Sequence, residues 1–142
     1  MSKQVHKRSS LYMVYRKKHF LLFRGPAIAF ALIIIFLSSL PGYKLPELNV
    51  FLGDKIVHIL EYGLFGILLY RAFRYPQPLP MPFKLTLILG IPFAALDELH
   101  QYLVPGRRCD ITDFTADVFG LVFFTGIVAL INMKTKSIKT NR

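Results

Sequence analysis

The chain has a single cysteine, Cys109, so no disulfide can close within it, and its redox compartment is left open. Acidic residues are also scarce. Eight Asp and Glu stand against eighteen Lys and Arg, for a formal net charge of +10. No internal repeat, no defined metal-ligand spacing and no soluble domain is visible. The first 24 residues carry seven Lys and Arg. They do not read as a normal signal peptide, because no small-residue cleavage site follows the apolar run that begins at Gly25.

Apolar sequence is abundant. Hydrophobic residues make up 54% of the 142 positions, and the mean hydropathy is +0.45. A soluble domain of this size would leave much of that surface wet. The basic excess accompanies long apolar runs, so a membrane explains it better than nucleic acid does.

A bilayer core of roughly 30 Å needs about 20 mostly apolar residues, and four segments approach that. The first runs from Phe20 to Leu40. Arg24 lies near its start, where a long side chain can snorkel, Pro26 is tolerated there, and Ser38 to Gly42 stops the helix. The second runs from Lys55 to Phe73, the third from Phe83 to Val104 with a kink expected at Pro92, and the fourth from Asp113 to Asn132. The pattern predicts an all-α fold, an integral membrane bundle of four short transmembrane helices. It divides into a basic cytoplasmic segment 1–24, a membrane domain 25–132 and a basic cytoplasmic tail 133–142. Tyr75 to Pro82 is proline-rich and reads as an extended connector.

With four spans, fourteen of the eighteen basic residues fall on one side. The positive-inside rule makes that side, with both termini, cytoplasmic. All eight acids fall on the other side or in the outer halves of the helices. That second asymmetry needs its own cause.

Asp54, His58 and Glu61 are spaced i, i+4, i+7 and share one face of the second helix. Asp54 also suits its N-cap. The third helix ends with Asp97-Glu98-Leu99-His100-Gln101, in which Asp97 and Gln101 share a face. Two adjacent carboxylates near a helix C-terminus oppose the dipole and are costly in a membrane unless a partner, a proton or a metal compensates. The loop Pro105-Gly106-Arg107-Arg108-Cys109 leads to a fourth helix capped by Asp113, with Asp117 and Gly120 on one face. Gly120 would admit a close neighbour. Glu61 and Asp97 lie about 10 Å, and Asp117 about 6 Å, inside the same helix-bundle end. Three helices thus place polar groups in one outer layer, with Arg107 and Arg108 at the rim. A guanidinium there suits a phosphate.

Plainer roles remain open. His58 could hydrogen-bond between helices, Asp97 and Glu98 could pair with Arg107 or Lys55, and both arginines could only touch lipid phosphates. Cys109 beside Arg108 is poor evidence for a nucleophile. Gly63 and Gly66 suit helix contact. Asp54, His58, Glu61, Asp97, Glu98 and Asp117 offer donors for a divalent metal, but their spacing leaves any metal or cofactor unknown.

At these positions the sequence resembles the VanZ-like family of bacterial membrane proteins. The shared motifs are Ser38-Ser39-x-Pro41-Gly42, Asp54-Lys55-x-x-His58, Asp97-Glu98-x-x-Gln101, Pro105-Gly106-Arg107, and Asp113 with Gly120 seven residues later. They run in the family's order across about 30–126. The family usually has Asn where this chain has Asp117. The resemblance implies a cell-envelope membrane protein of the bacterial inner membrane. The family is named after a member linked to low-level teicoplanin resistance, and its distant similarity to enzymes that process lipid head groups implies such chemistry here.

The reading is therefore an enzyme working on a phosphorylated lipid head group, or a lipid-linked envelope precursor, at the outer leaflet. His58 is the expected general base or nucleophile. Asp97 and Glu98 would orient it, act as general acid or hold a metal, and Glu61 belongs to the same catalytic group. Arg107, Arg108, Lys55, Gln101, Asp113 and Asp117 would bind substrate, while Asp54, Gly106 and Gly120 are structural. Membrane lipids are the expected partners and nucleic acid is not. The alternative is a non-catalytic protein that binds lipid or antibiotic or scaffolds an envelope complex. A proton-coupled transporter is the third reading, weakened by the shallow cluster. The oligomeric state is not legible.

Overall fold

The computed structural model describes residues 19–42, 53–76 and 78–140, with side chains through 135. Most of the basic N-terminal segment lies outside the described residues. Four helices follow one another: α1 (Gly25–Ser38), α2 (Gly53–Arg74), α3 (Pro82–Tyr102) and α4 (Ile111–Thr140). Among the described residues there is no strand.

The helix ends follow local chemistry. A helical turn over 19–23 leads through Arg24 into α1, and a proline opens both α1 and α3, where a missing N–H costs nothing. Met81, in the left-handed region at φ 52°, sets the entry to α3. The helix then runs unbroken through Pro92. Residue 75 begins the non-helical connector, as its prolines predict. The fourth helix is longer than its apolar stretch, continuing through the basic tail to Thr140.

Burial is inverted relative to a water-soluble protein. The inward stripe of α3 is Thr86, Gly90, Ala94, Asp97 and Gln101, with Glu98 beside it, whereas Ile88, Leu89, Leu96 and Leu99 face outward. On α4, Asp117, Leu121 and Thr125 are fully buried, while Phe119, Phe123, Ile127 and Leu130 are exposed. On α1, Ala27, Ile34 and Ser38 turn inward and Leu32, Ile33 and Phe36 outward. Large apolar side chains outside and small or polar ones inside are what lipid selects. Two helices, α2 and the 111–135 part of α4, are long and apolar enough to cross a membrane. α1 is apolar but has 14 residues, and the acidic end of α3 lowers its hydropathy. The fold is thus all-α and membrane-like, with two helices among the described residues that qualify as candidate spans and not clearly the four expected.

Close backbone approach sets the packing. A Cβ on Gly120 would collide with the Ile59 carbonyl oxygen. Gly63 lies against Phe124, and Gly66 against Thr125 and Leu121. Residues in ascending order on α2 meet residues in ascending order on α4, so the two helices run parallel. α3 returns antiparallel and packs against both, with Gly90 on Leu121 and the Phe65 and Phe93 ring centroids 5.0 Å apart. Ile34, Tyr62, Phe65, Ala94 and Leu121 form the buried apolar core. The C-terminal end of α1 meets the α3–α4 loop, where Gly42 N–H donates to the Pro105 carbonyl at 3.1 Å. The neighbouring Gly106 has φ 75°, which favours glycine.

Candidate functional site

The same end of the bundle collects the start of α2, the end of α3, the start of α4 and the last carbonyls of α1. At its rim, Lys55 on α2 is bonded to the Asp113 carboxylate on α4. Its ammonium also lies 3.0 Å from Asp54 and 3.6 Å from Asp110. One ammonium thus faces three carboxylates. Neither acid caps its helix as the sequence suggests. α2 begins at Gly53, ahead of Asp54, and α4 begins at Ile111, ahead of Asp113. The N-cap of α4 is Asp110, whose Oδ1 accepts from the Thr112 N–H and the Thr112 hydroxyl, each at 2.8 Å. Those two donors hold its carboxyl below the usual carboxylate range.

About one turn deeper, His58 Nδ1 lies 2.8 Å from Asp117 Oδ1, joining α2 to α4. Asp117 is fully buried. Among the described residues no hydrogen bond engages His58 Nε2. A carboxylate on Nδ1 favours the tautomer that leaves Nε2 as the basic nitrogen. Asp117, not Asp97 or Glu98, is therefore the residue that orients the imidazole.

Deeper still, Asp97 Oδ2 accepts from the Tyr62 hydroxyl at 3.1 Å and from Gln101 Nε2 at 3.3 Å. Glu98 turns toward the loop, where its Oε1 accepts the Asp110 backbone N–H at 2.6 Å. Among the described residues neither Asp97 nor Glu98 forms a salt bridge, so pairing with Arg107 or Lys55 is not what holds them. Glu61 is half-buried on α2, one turn beyond His58. Arg107 donates to the Leu37 carbonyl at the end of α1, 3.2 Å away. Arg108 and Cys109 are exposed.

Buried polar atoms without a protein partner concentrate here. Asp97 Oδ1, Glu98 Oε2, Asp117 Oδ2 and Arg107 Nε are four of them. Such atoms are uncommon in folded proteins, and these four belong to one end of the bundle. Among the described residues no three His, Cys, Asp or Glu side chains converge so as to hold a metal ion. Of the six expected donors, Asp54 pairs with Lys55, His58 with Asp117, Asp97 with Tyr62 and Gln101, and Glu98 with the Asp110 N–H. A cavity of about 320 Å³ lies at the opposite end of the bundle, lined by Tyr70, Arg74, Phe83 and Asn132 among others.

Sequence reasoning brought together most of these residues but missed Tyr62, Asp110 and Ser39. Tyr62 follows His58 by four positions, so helical spacing placed it on the same face. Asp110-x-Thr112 is itself a helix-start pattern. Ser39, whose hydroxyl lies 3.0 Å from His100 Nε2, has no local signal that predicts its partner.

The VanZ/LLP1 family model matches residues 27–132, most of the chain. The chain belongs to the VanZ/LLP1 family. No curated protein and no solved structure matches it. Within this VanZ/LLP1 chain the family-like motifs meet at one bundle end: Lys55 and His58 on α2, Asp97 and Gln101 on α3, Asp113 and Asp117 on α4, and Gly42 against Gly106. Its departure, Asp117, is the residue that bonds the histidine.

Proposed function

We propose that this VanZ/LLP1 protein is an enzyme that cleaves or exchanges the phosphoester of a lipid head group at the outer leaflet of the bacterial inner membrane. The observation that carries the reading is His58, held by the buried Asp117 with no bond to Nε2 among the described residues, at the bundle end where Asp97, Glu98 and Asp117 each keep one unpartnered carboxylate oxygen. In this reading the chain has four spans. α2 and α4 run parallel and each is long enough to cross. The antiparallel α3, about 31 Å long, must then return through the same layer, and α1 ends beside its C-terminus. The Lys and Arg distribution puts both termini inside and the site outside.

The chemistry follows from the arrangement. Arg107 retains N–H groups beyond its bond to Leu37 and binds the head-group phosphate. His58 Nε2 takes a proton from an attacking water or alcohol as its oxygen bonds to phosphorus. The ester P–O bond breaks, and the departing alkoxide takes a proton from Glu61 in its carboxylic acid form. Asp117 stabilises the imidazolium that forms. A lipid-linked envelope precursor fits the same chemistry and would connect it with teicoplanin susceptibility.

The test is turnover by the purified full chain in phospholipid vesicles, read as released head group by mass spectrometry. Release that disappears in His58→Ala supports the reading. Equal release from both proteins, or none from either, overturns it. A scaffold is the second reading, favoured by Lys55, which ties α2 to Asp110 and Asp113 without any substrate. It predicts no turnover and loss of folded protein when Lys55 is replaced.

A further inference from the structure

The cavity of about 320 Å³ at the far end of the bundle from His58 lies between the end of α2, the start of α3 and α4. Phe83, Ala129 and Met133 give it an apolar wall, and Tyr70, Arg74 and Asn132 bring polar groups to it. Tyr70 is 4% exposed. Among the described residues, neither its hydroxyl nor the Arg74 guanidinium has a hydrogen-bond or ion-pair partner. Buried hydroxyls are normally bonded. Water in the cleft would satisfy the hydroxyl but would leave the arginine without a counter-charge.

Packing holds the arginine in place. Its guanidinium carbon stands 5.4 Å from the centroid of the Tyr75 ring. Tyr75 stacks on Phe23 at 5.9 Å, and its hydroxyl donates to Asn132 Oδ1 at 3.2 Å. A planar guanidinium offers its N–H edge to two oxygens of a phosphate at once.

The charge around the cleft has one sign. Arg71 and Arg74 end α2, Lys84 is in the first turn of α3, and Lys134 follows Met133 on α4. None of the four forms a salt bridge among the described residues. The last acid on α2, Glu61, is thirteen positions before Arg74, about 20 Å along the helix. Asp97 on α3 is as far from Lys84, and Asp117 on α4 is farther from Asn132. The cleft is also joined to the surface that faces lipid. Met133 lines it and is 60% exposed, and Leu130, three positions earlier on the outward face of α4, is 57% exposed. Small-molecule sites run from about 300 to 1,000 Å³, so this one has room for a head group and leaves acyl chains outside.

We infer that the cleft binds an anionic phospholipid of the leaflet at that end. Arg74 grips its phosphate, the Tyr70 hydroxyl donates to it, and the acyl chains lie along the outward face of α4. Arg71, Lys84 and Lys134 supply the preference for net negative charge. In the topology proposed above this is the inner leaflet, so the lipid is a structural one and not the substrate met at His58. The inference needs only a membrane around the bundle and does not rest on the proposed reaction.

The experiment is native mass spectrometry of the detergent-purified full chain, titrated with short-chain phospholipids that carry a glycerol (anionic) or a choline (zwitterionic) head group. The glycerol lipid should bind about tenfold more tightly. Arg74→Gln should erase most of that preference. Tyr70→Phe keeps the buried ring and should weaken the glycerol lipid about threefold. Ala129→Leu fills the cleft without altering any charge and should also abolish the preference. Arg107→Ala, at the opposite end, should leave it intact. Equal binding of the two lipids by the wild type overturns the inference. So does a preference that survives Arg74→Gln or Ala129→Leu in folded protein, which would be diffuse surface charge. A preference lost in Arg107→Ala puts the lipid at the other end and overturns it too, as does Tyr70→Phe binding like the wild type. Glycerol 3-phosphate is added as the soluble competitor. It should not displace the lipid, and displacement at matched concentration would assign the cleft to a soluble phosphate ester and overturn the lipid.

Discussion

His58 on α2 and Asp117 on α4 are joined by a 2.8 Å bond at the buried seam between two parallel helices. The pairing gives a single-atom substitution unusual diagnostic value. Asp117→Asn keeps an acceptor for the imidazole but removes the charge that stabilises its protonated form. Head-group turnover should fall about tenfold to a hundredfold, with the protein still folded, as expected for loss of a charge-assisted bond. Asp117→Ala removes the acceptor as well and should fall further. Turnover in vesicles measures both. Full activity in Asp117→Ala would show that the pairing is structural only.

Gly120 and Gly126 lie on the same helix and should respond oppositely to the same change. A methyl at 120 meets the Ile59 carbonyl, which is backbone and cannot swing away. Gly120→Ala should destabilise by roughly 1–3 kcal/mol or more through overpacking. Nothing lies within 4 Å of a Cβ at 126. Gly126→Ala should leave stability unchanged or raise it by up to about 1 kcal/mol through helix propensity. Thermal unfolding in detergent compares the two.

The single cysteine reports orientation. Cys109 is exposed in the loop between α3 and α4, at the end that holds the site. A membrane-impermeant maleimide should label it in intact spheroplasts, and Cys109→Ser should abolish the labelling. Labelling only after lysis would place the site on the cytoplasmic side and reverse the topology.

Asp110 gives a defined pH signature at the α4 cap. Its folded-state carboxyl is held below the ordinary value of 3.8, chiefly by the Thr112 N–H and then by its hydroxyl. A depressed carboxyl stabilises the fold above its unfolded value, and that contribution is lost as pH falls through the folded value. The wild type should therefore melt above Asp110→Ala by a constant margin from pH 8 to pH 5, and the margin should shrink below about pH 4. A margin that changes between pH 8 and pH 6 would mean a different group controls the cap.

Much of this architecture is legible in the chain because a membrane makes charge conspicuous. His58, Glu61, Asp97, Glu98 and Asp117 interrupt apolar helices, and their helical depths put them at one end before any coordinates are considered. Partner choice is different. Spacing along a helix shows which residues share a face but not how two helices are rotated against each other. That rotation is fixed by tertiary contacts such as Gly120 on Ile59, so the partnership of His58 with Asp117 instead of Asp97 or Glu98 was beyond it. The caps were misplaced for a related reason. Asp54 and Asp113 have the right chemistry for a helix start, but Lys55 draws both, and Asp110 takes the capping position on α4. Hydropathy does not single out α1 or α3 as a span, because one is short and the other ends in acids.

The most direct measurement of the central claim is made in cells. Membrane lipid head groups are quantified by mass spectrometry in cells expressing the wild type, His58→Ala or Gly126→Ala, at matched protein levels in the membrane. The account predicts one head-group class that changes with the wild type and with Gly126→Ala, and reverts in His58→Ala. Identical head-group profiles in all three would contradict it.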